Sequence, residues 1–170
     1  MSNRLIQGKT FLLGDDVNTD INCSSKYLPG KDSEFVSTVA FDKLVPGFAQ
    51  NINSNGGGII VAGKHFGINS SREQAIHVLH IMKVECILAP SFGRQFFRNA
   101  INNGLPIIEC DTSNFKAGQE LSIDLNQGAI SIPSGETISF TPLPKEILKI
   151  IELGGLLNFI TKHPDWNFAA

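Results

Sequence analysis

The stretch IIVAGKHFGINSSREQAIHVLHIMKVECILA, residues 59–89, decides the fold. Its opening, Ile59-Ile60-Val61-Ala62, is a continuous and largely β-branched run, the pattern of a strand covered on both faces. Gly63 ends it. From Ser70 to about Lys83, apolar residues recur at Ala75, Ile76, Leu79 and Met82, which is the spacing of one helix face, and Val84 to Ala89 follows as a second buried strand. Downstream, Ser91 opens a further helix with Phe92, Phe96, Phe97, Ala100 and Ile101 near one face, closed by Asn103-Gly104 before a strand from Leu105 to Glu109. The order strand, helix, strand, helix, strand predicts a parallel α/β core.

Upstream, Thr10 to Leu13 reads as a short strand that stops at Gly14-Asp15-Asp16, and Asp15 to Asp20 reads as a polar turn. Asn22 to Lys31 has the composition of an exposed loop. Asp32 or Ser33 then caps a helix carrying Phe35, Val36, Val39, Ala40 and Leu44, which Pro46-Gly47 terminates. After Asp111 the period changes. Leu121–Leu125 and Ala129–Ile132 alternate around Asn126-Gln127-Gly128, a hairpin signal, and a last helix runs from about Pro144 to Leu153. The sheet is therefore expected to be part parallel and part antiparallel, within one domain of 170 residues.

Composition narrows the chemistry. Fourteen Lys plus Arg against sixteen Asp plus Glu leave a net charge of −2, with no bulk positive field for nucleic acid. Cys23, Cys86 and Cys110 form no C-x-x-C pair, which argues against a disulfide framework, a zinc ribbon or a self-contained iron–sulfur site, and fits a reduced cytoplasmic chain. No apolar run approaches membrane-spanning length.

Ser70-x-x-Glu73 has the form of a capping box at a helix start. Free amides there, with the helix dipole, favour a carboxylate or phosphate, and Arg72 adds a planar donor suited to bidentate binding. The ordinary alternative is a stabilising cap with a solvated Ser71 and a surface-paired Arg72. For Asp20 the ordinary reading is an Asx-turn cap, for His65 a solvated loop histidine. Glu73, His77 and His80 share a helix face, more readily as surface than as metal ligands.

Several blocks together carry more than any one of them. Gly14-Asp15-Asp16-Val17-Asn18-Thr19-Asp20, Tyr27-Leu28, Ile59 to Gly63, Phe66-Gly67 with Ser70-Ser71-Arg72-Glu73-Gln74-Ala75, and Ala89-Pro90-Ser91-Phe92 with Phe96 to Ile107 stand in order. In order and spacing, over roughly residues 8–110, they resemble the small subunits of 3-isopropylmalate dehydratases, in the aconitase superfamily.

The resemblance implies a swivelling domain of β/β/α layers with a mixed sheet, working with a separate large subunit that carries a [4Fe-4S] cluster, and no cofactor on this chain. It implies a hydro-lyase reaction on a malate-type carboxylate in leucine biosynthesis. Position by position, Ser70 becomes the base at the proton-bearing carbon, Ser71 and Arg72 hold substrate carboxylate, and Asp20 is the active-site aspartate. Two departures stand out. Where the family has G-C-G before S-S-R-E, this chain has Gly67-Ile68-Asn69, and asparagine tolerates the positive φ that such a turn needs. Where relatives acting on tricarboxylates place an arginine after Tyr27-Leu28, Pro29-Gly30 stands here, so that Leu28, Pro29 and Gly30 favour a substrate with an apolar branch. A dimethylmalate- or homoaconitate-type dehydratase subunit, or an anion-binding module without catalysis, are the alternatives.

Overall fold

The computed structural model describes residues 5–24 and 28–168. Four strands pair in parallel in chain order: β1 (Leu5–Leu12), β2 (Gly58–Val61), β3 (Val84–Ala89) and β4 (Ile107–Glu109). On the far side of β1 lie antiparallel β5 (Glu120–Asp124), β6 (Ala129–Ser131) and β7 (Thr137–Ser139), giving the order β4-β3-β2-β1-β5-β6-β7. Between β1 and β2 come the one-turn helix α1 (Thr19–Asn22), α2 (Ser33–Ser37) and α3 (Phe48–Ser54). Helix α4 (Gln74–Ile81) links β2 to β3, α5 (Arg94–Asn102) links β3 to β4, and α6 (Lys145–Glu152) and α7 (Leu156–Lys162) follow the hairpins.

Alternation along the buried strands divides the core in two. Phe11, Ile60, Ile87 and Ile107 face the helices, packing with Phe48, Ile76, Leu79, Phe96 and Ile151. Ile59, Val61, Cys86, Leu88 and Ile108 face the other way and pack with Leu121, Ile123 and Ile130 of the antiparallel half. The sheet curls so that one half covers the other, and the layers are helix, parallel strands, antiparallel strands. This is the β/β/α mixed-sheet arrangement expected. No helix among the described residues is long and apolar enough to cross a membrane.

Several elements differ from the sequence reading. The helix expected from residue 33 to beyond 40 ends at Ser37, and Phe41, fully buried, adopts φ 63°, which no helix continues. Helix α3 was not foreseen: Phe48-Ala-Gln-Asn-Ile-Asn-Ser is poor in helix formers, and burial of Phe48, Ala49 and Ile52 with Asp42 Oδ1 accepting from Ala49 N (2.9 Å) holds it. The loop expected to be exposed from Asn22 is buried at Asn22, Cys23 and Ser24, and among its described residues is exposed from Pro29 to Lys31. Tyr27 lies outside the described residues.

Candidate active site

The segments that leave the carboxyl ends of β1 and β2 run beside each other and are laced together. Gly63 N donates to Gly14 O (3.0 Å), Lys64 N to Asp15 Oδ1 (2.7 Å), Asp16 N to Lys64 O (2.8 Å) and Gly67 N to Val17 O (2.7 Å). Thr19 N donates to Ser70 Oγ (2.9 Å), and the amides of Ser71 and Arg72 donate to Asp20 Oδ1 (3.2 and 3.4 Å). The loop after β3 closes on the same ribbon: Phe66 N donates to Ser91 O (3.0 Å) and Gly93 N to Phe66 O (2.8 Å). In parallel α/β sheets the carboxyl ends of strands are the customary place for chemistry, since loops from several strands meet there.

Close approach of these loops needs residues without a side chain. A Cβ on Gly63 would lie 1.9 Å from Asp15 Oδ1, and one on Gly67, at φ 78°, would lie 2.4 Å from the Phe96 side chain. Phe96 in turn stacks edge-on against Phe66 with centroids 5.1 Å apart, which anchors the turn to the core. Asn69 stands at φ 52°, so asparagine keeps the left-handed residue that the turn requires.

Ser70 does not cap a helix. Helix α4 begins at Gln74, its N-cap is Glu73 in helical conformation, and no side chain caps it. The Ser70 hydroxyl, 3% exposed, is instead the focus of three hydrogen bonds. Its oxygen accepts from Thr19 N (2.9 Å) and Thr19 Oγ1 (2.6 Å), and its proton goes to Ile68 O (3.1 Å). Likewise the Ser71 and Arg72 amides, which the sequence offers to an external anion, are held by the chain's own Asp20, whose other oxygen accepts from Ser71 Oγ (3.4 Å). Asn18 rather than Asp20 caps the turn, accepting from Asp20 N (3.0 Å).

Of the predicted site residues, Asp20, Ser70, Ser71 and Arg72 come together, and the exposed Ser71 and Arg72 border the buried Ser70 and Asp20. Thr19, which touches Ser70 with both donors, escaped the sequence reading, because a threonine before an aspartate in a turn carries no chemical signal of its own. Leu28, Pro29 and Gly30 stand one step removed: Leu28 N donates to Ser24 O (3.4 Å), and Ser24 Oγ donates to Asp20 O (2.6 Å). Leu28 is half-buried and packs on the helical core, whereas Pro29 and Gly30 are exposed. Lys31, a cation that could have turned toward the site, lies with Nζ 4.6 Å above the Phe35 ring.

Cys23 is fully buried and desolvation pushes its thiol well up; Cys110 is pushed up to about 11 by burial and by the nearby Asp111 charge. No group of three or more His, Cys, Asp or Glu among the described residues is placed to hold a metal ion. His80 uses Nε2 on Asn103 O (2.9 Å), an ordinary surface contact.

The layered fold and the laced loops define the class: residues 18–112 match the family described as the aconitase C-terminal domain. Relatives resolve it further. The chain is 41% identical over 159 residues to the 3-isopropylmalate dehydratase small subunit of Methanosarcina mazei, covering 92% of this chain and 97% of that protein. It is 38% identical to 3-isopropylmalate dehydratase small subunit 1 of Thermotoga maritima, over 94% of this chain and 96% of that one. The crystal structure of 3-isopropylmalate dehydratase from Methanocaldococcus jannaschii superposes with a TM-score of 0.84 at 33% identity, covering 95% and 96% of the two chains. The chain belongs to the family of 3-isopropylmalate dehydratase small subunits.

Proposed function

We propose that the chain is the small subunit of a two-chain hydro-lyase in the cytoplasm that interconverts 2- and 3-isopropylmalate by removing and restoring water. Its large subunit carries the iron–sulfur cluster, for which the described residues of this chain offer no ligand group. Family membership supports the activity, and one observation on the chain itself carries the assignment of roles: the Ser70 oxygen accepts two hydrogen bonds from Thr19.

A serine hydroxyl is a poor base in water, and an alkoxide needs donors aimed at it in a dry site. Thr19 supplies an N–H and an O–H, and burial excludes water. In its alkoxide form Ser70 Oγ takes the proton from the carbon next to the departing hydroxyl, which leaves the neutral serine, and gives that proton to the carbon that has lost the hydroxyl, which restores the alkoxide. In the free chain that oxygen is covered, so the substrate reaches it from the exposed side where Ser71 and Arg72 stand. Arg72 holds a carboxylate by its guanidinium fork. Asp20 fixes the main chain of Ser71 and Arg72, so its part is to place those side chains.

Leu28 and Pro29 offer apolar surface and no charge, which suits an alkyl branch, and Lys31, one of the two lysines flanking them, is engaged on the Phe35 ring. That favours isopropylmalate over a homoaconitate-type acid. Ser70→Ala in the assembled enzyme tests the assignment: isopropylmalate turnover falls by about 10²-fold or more if Ser70 is the base, and is unchanged if it is only structural.

A further inference from the structure

At the outer end of the laced loops, His65 Nδ1 lies 2.8 Å from Asp16 Oδ1, with the two side chains 58% and 66% exposed. As a stabilising contact such an exposed pair contributes little. Yet both residues adopt left-handed backbone, Asp16 at φ 56° and His65 at φ 61°, which costs free energy for any residue with a Cβ. Three hydrogen bonds hold that conformation: Asp16 N to Lys64 O (2.8 Å), Lys64 N to Asp15 Oδ1 (2.7 Å) and His65 N to Ser91 Oγ (2.9 Å). Stability does not account for a surface pair built in this way.

The orientation is chemically specific. A carboxylate only accepts, so the neutral ring carries its proton on Nδ1 and keeps a lone pair on Nε2. That lone pair can accept from the hydroxyl of a hydroxy acid. The two loops that meet at Asp16 and His65 meet again three residues on, where Thr19 holds Ser70, so His65 stands on the same exposed edge as Ser71 and Arg72.

We infer that His65, oriented by Asp16, is a further substrate-binding residue of this site, taking the hydroxy-carboxylate end of the substrate through Nε2. The inference rests on the dehydratase reading and adds a residue to it. The test uses the assembled two-subunit enzyme with His65→Phe, Asp16→Asn and the double variant, assayed on isopropylmalate. His65→Phe raises KM about tenfold or more while assembly is unchanged. Asp16→Asn, which keeps an acceptor for Nδ1–H but loses the charge, raises it less, and the double variant is no worse than His65→Phe alone, because Asp16 acts through the ring. An unchanged KM in all three, or a loss confined to subunit assembly, overturns the inference while leaving the dehydratase reading in place. A wild-type complex with no turnover of isopropylmalate removes both.

Discussion

At the residue scale the site is built from hydrogen-bond donors that serve the chain's own side chains before they serve a ligand. Ser70 is held by Thr19 and Asp20 is held by the Ser71 and Arg72 amides, so the contacts that fold these loops are also the ones the proposed chemistry uses. Thr19→Val keeps the N–H and removes the O–H. In the assembled enzyme it should lower kcat by about 10²-fold, the scale of losing one oxyanion donor, with KM little changed; a KM effect alone would place Thr19 in binding instead. Cys110 gives a pH-dependent check on the described surroundings. Burial favours its neutral thiol, so thiolate, and with it alkylation by iodoacetamide, stays low at pH 8 and rises only toward about pH 11. Fast alkylation at pH 8 in the folded chain would contradict that burial. Ser70, Arg72 and Asp20 were singled out by the family resemblance, since the local pattern by itself offered only a capping box and an Asx turn; Thr19 and the Asp16–His65 contact depend on two loops about 50 residues apart meeting, which no local pattern encodes.

At the element scale, strands β2 and β3 and helices α4 and α5 were legible because their burial is periodic or continuous over a whole element. So was the hairpin, where Asp124 Oδ1 accepts from Asn126 and Gln127 N at 2.9 Å. Helix α3 and strand β7 (Thr137–Ser139) were not, since α3 is poor in helix formers and β7 shows no buried residue in its three positions. Capping shows most sharply where pattern and structure part. Asp32 Oδ1 accepts from Phe35 N at 2.8 Å, so Asp32→Ala should cost about 1 kcal/mol. Glu73 makes no capping bond, so Glu73→Ala should change stability by less than about 0.5 kcal/mol in spite of the Ser70-x-x-Glu73 pattern. Urea midpoints of the two variants at equal slope compare them directly. A larger loss for Glu73→Ala would restore the capping box.

At the scale of the whole molecule, the curled sheet leaves the loops of β1, β2 and β3 together at one edge, with Ser71, Arg72 and His65 exposed along it. The cleft of about 400 Å³ reaches this edge at Asp15, Gly63, Lys64 and Pro90, and on the function proposed above the large subunit completes the reacting centre. On the function proposed above, the apolar Leu28–Pro29 side favours an alkyl branch over a third carboxylate. Burying an unpaired carboxylate is costly, and the assembled enzyme should prefer isopropylmalate over citrate or homocitrate by at least roughly 10³ in kcat/KM. Side-by-side kinetics on the three acids check this, and a tricarboxylate turning over best would reassign the substrate.

The central claim, that this chain contributes the Ser70 half of a shared dehydratase site, is tested most directly by complementation. Purified chain is titrated into a fixed amount of its iron–sulfur large subunit while interconversion of 2- and 3-isopropylmalate is followed. Neither protein alone turns over substrate, activity rises with added chain to a plateau at a fixed ratio, and Ser70→Ala reaches its plateau at the same ratio with about 10²-fold or more lower rate. Full activity of the large subunit alone, or a Ser70→Ala plateau equal to that of the unaltered chain, would contradict the account.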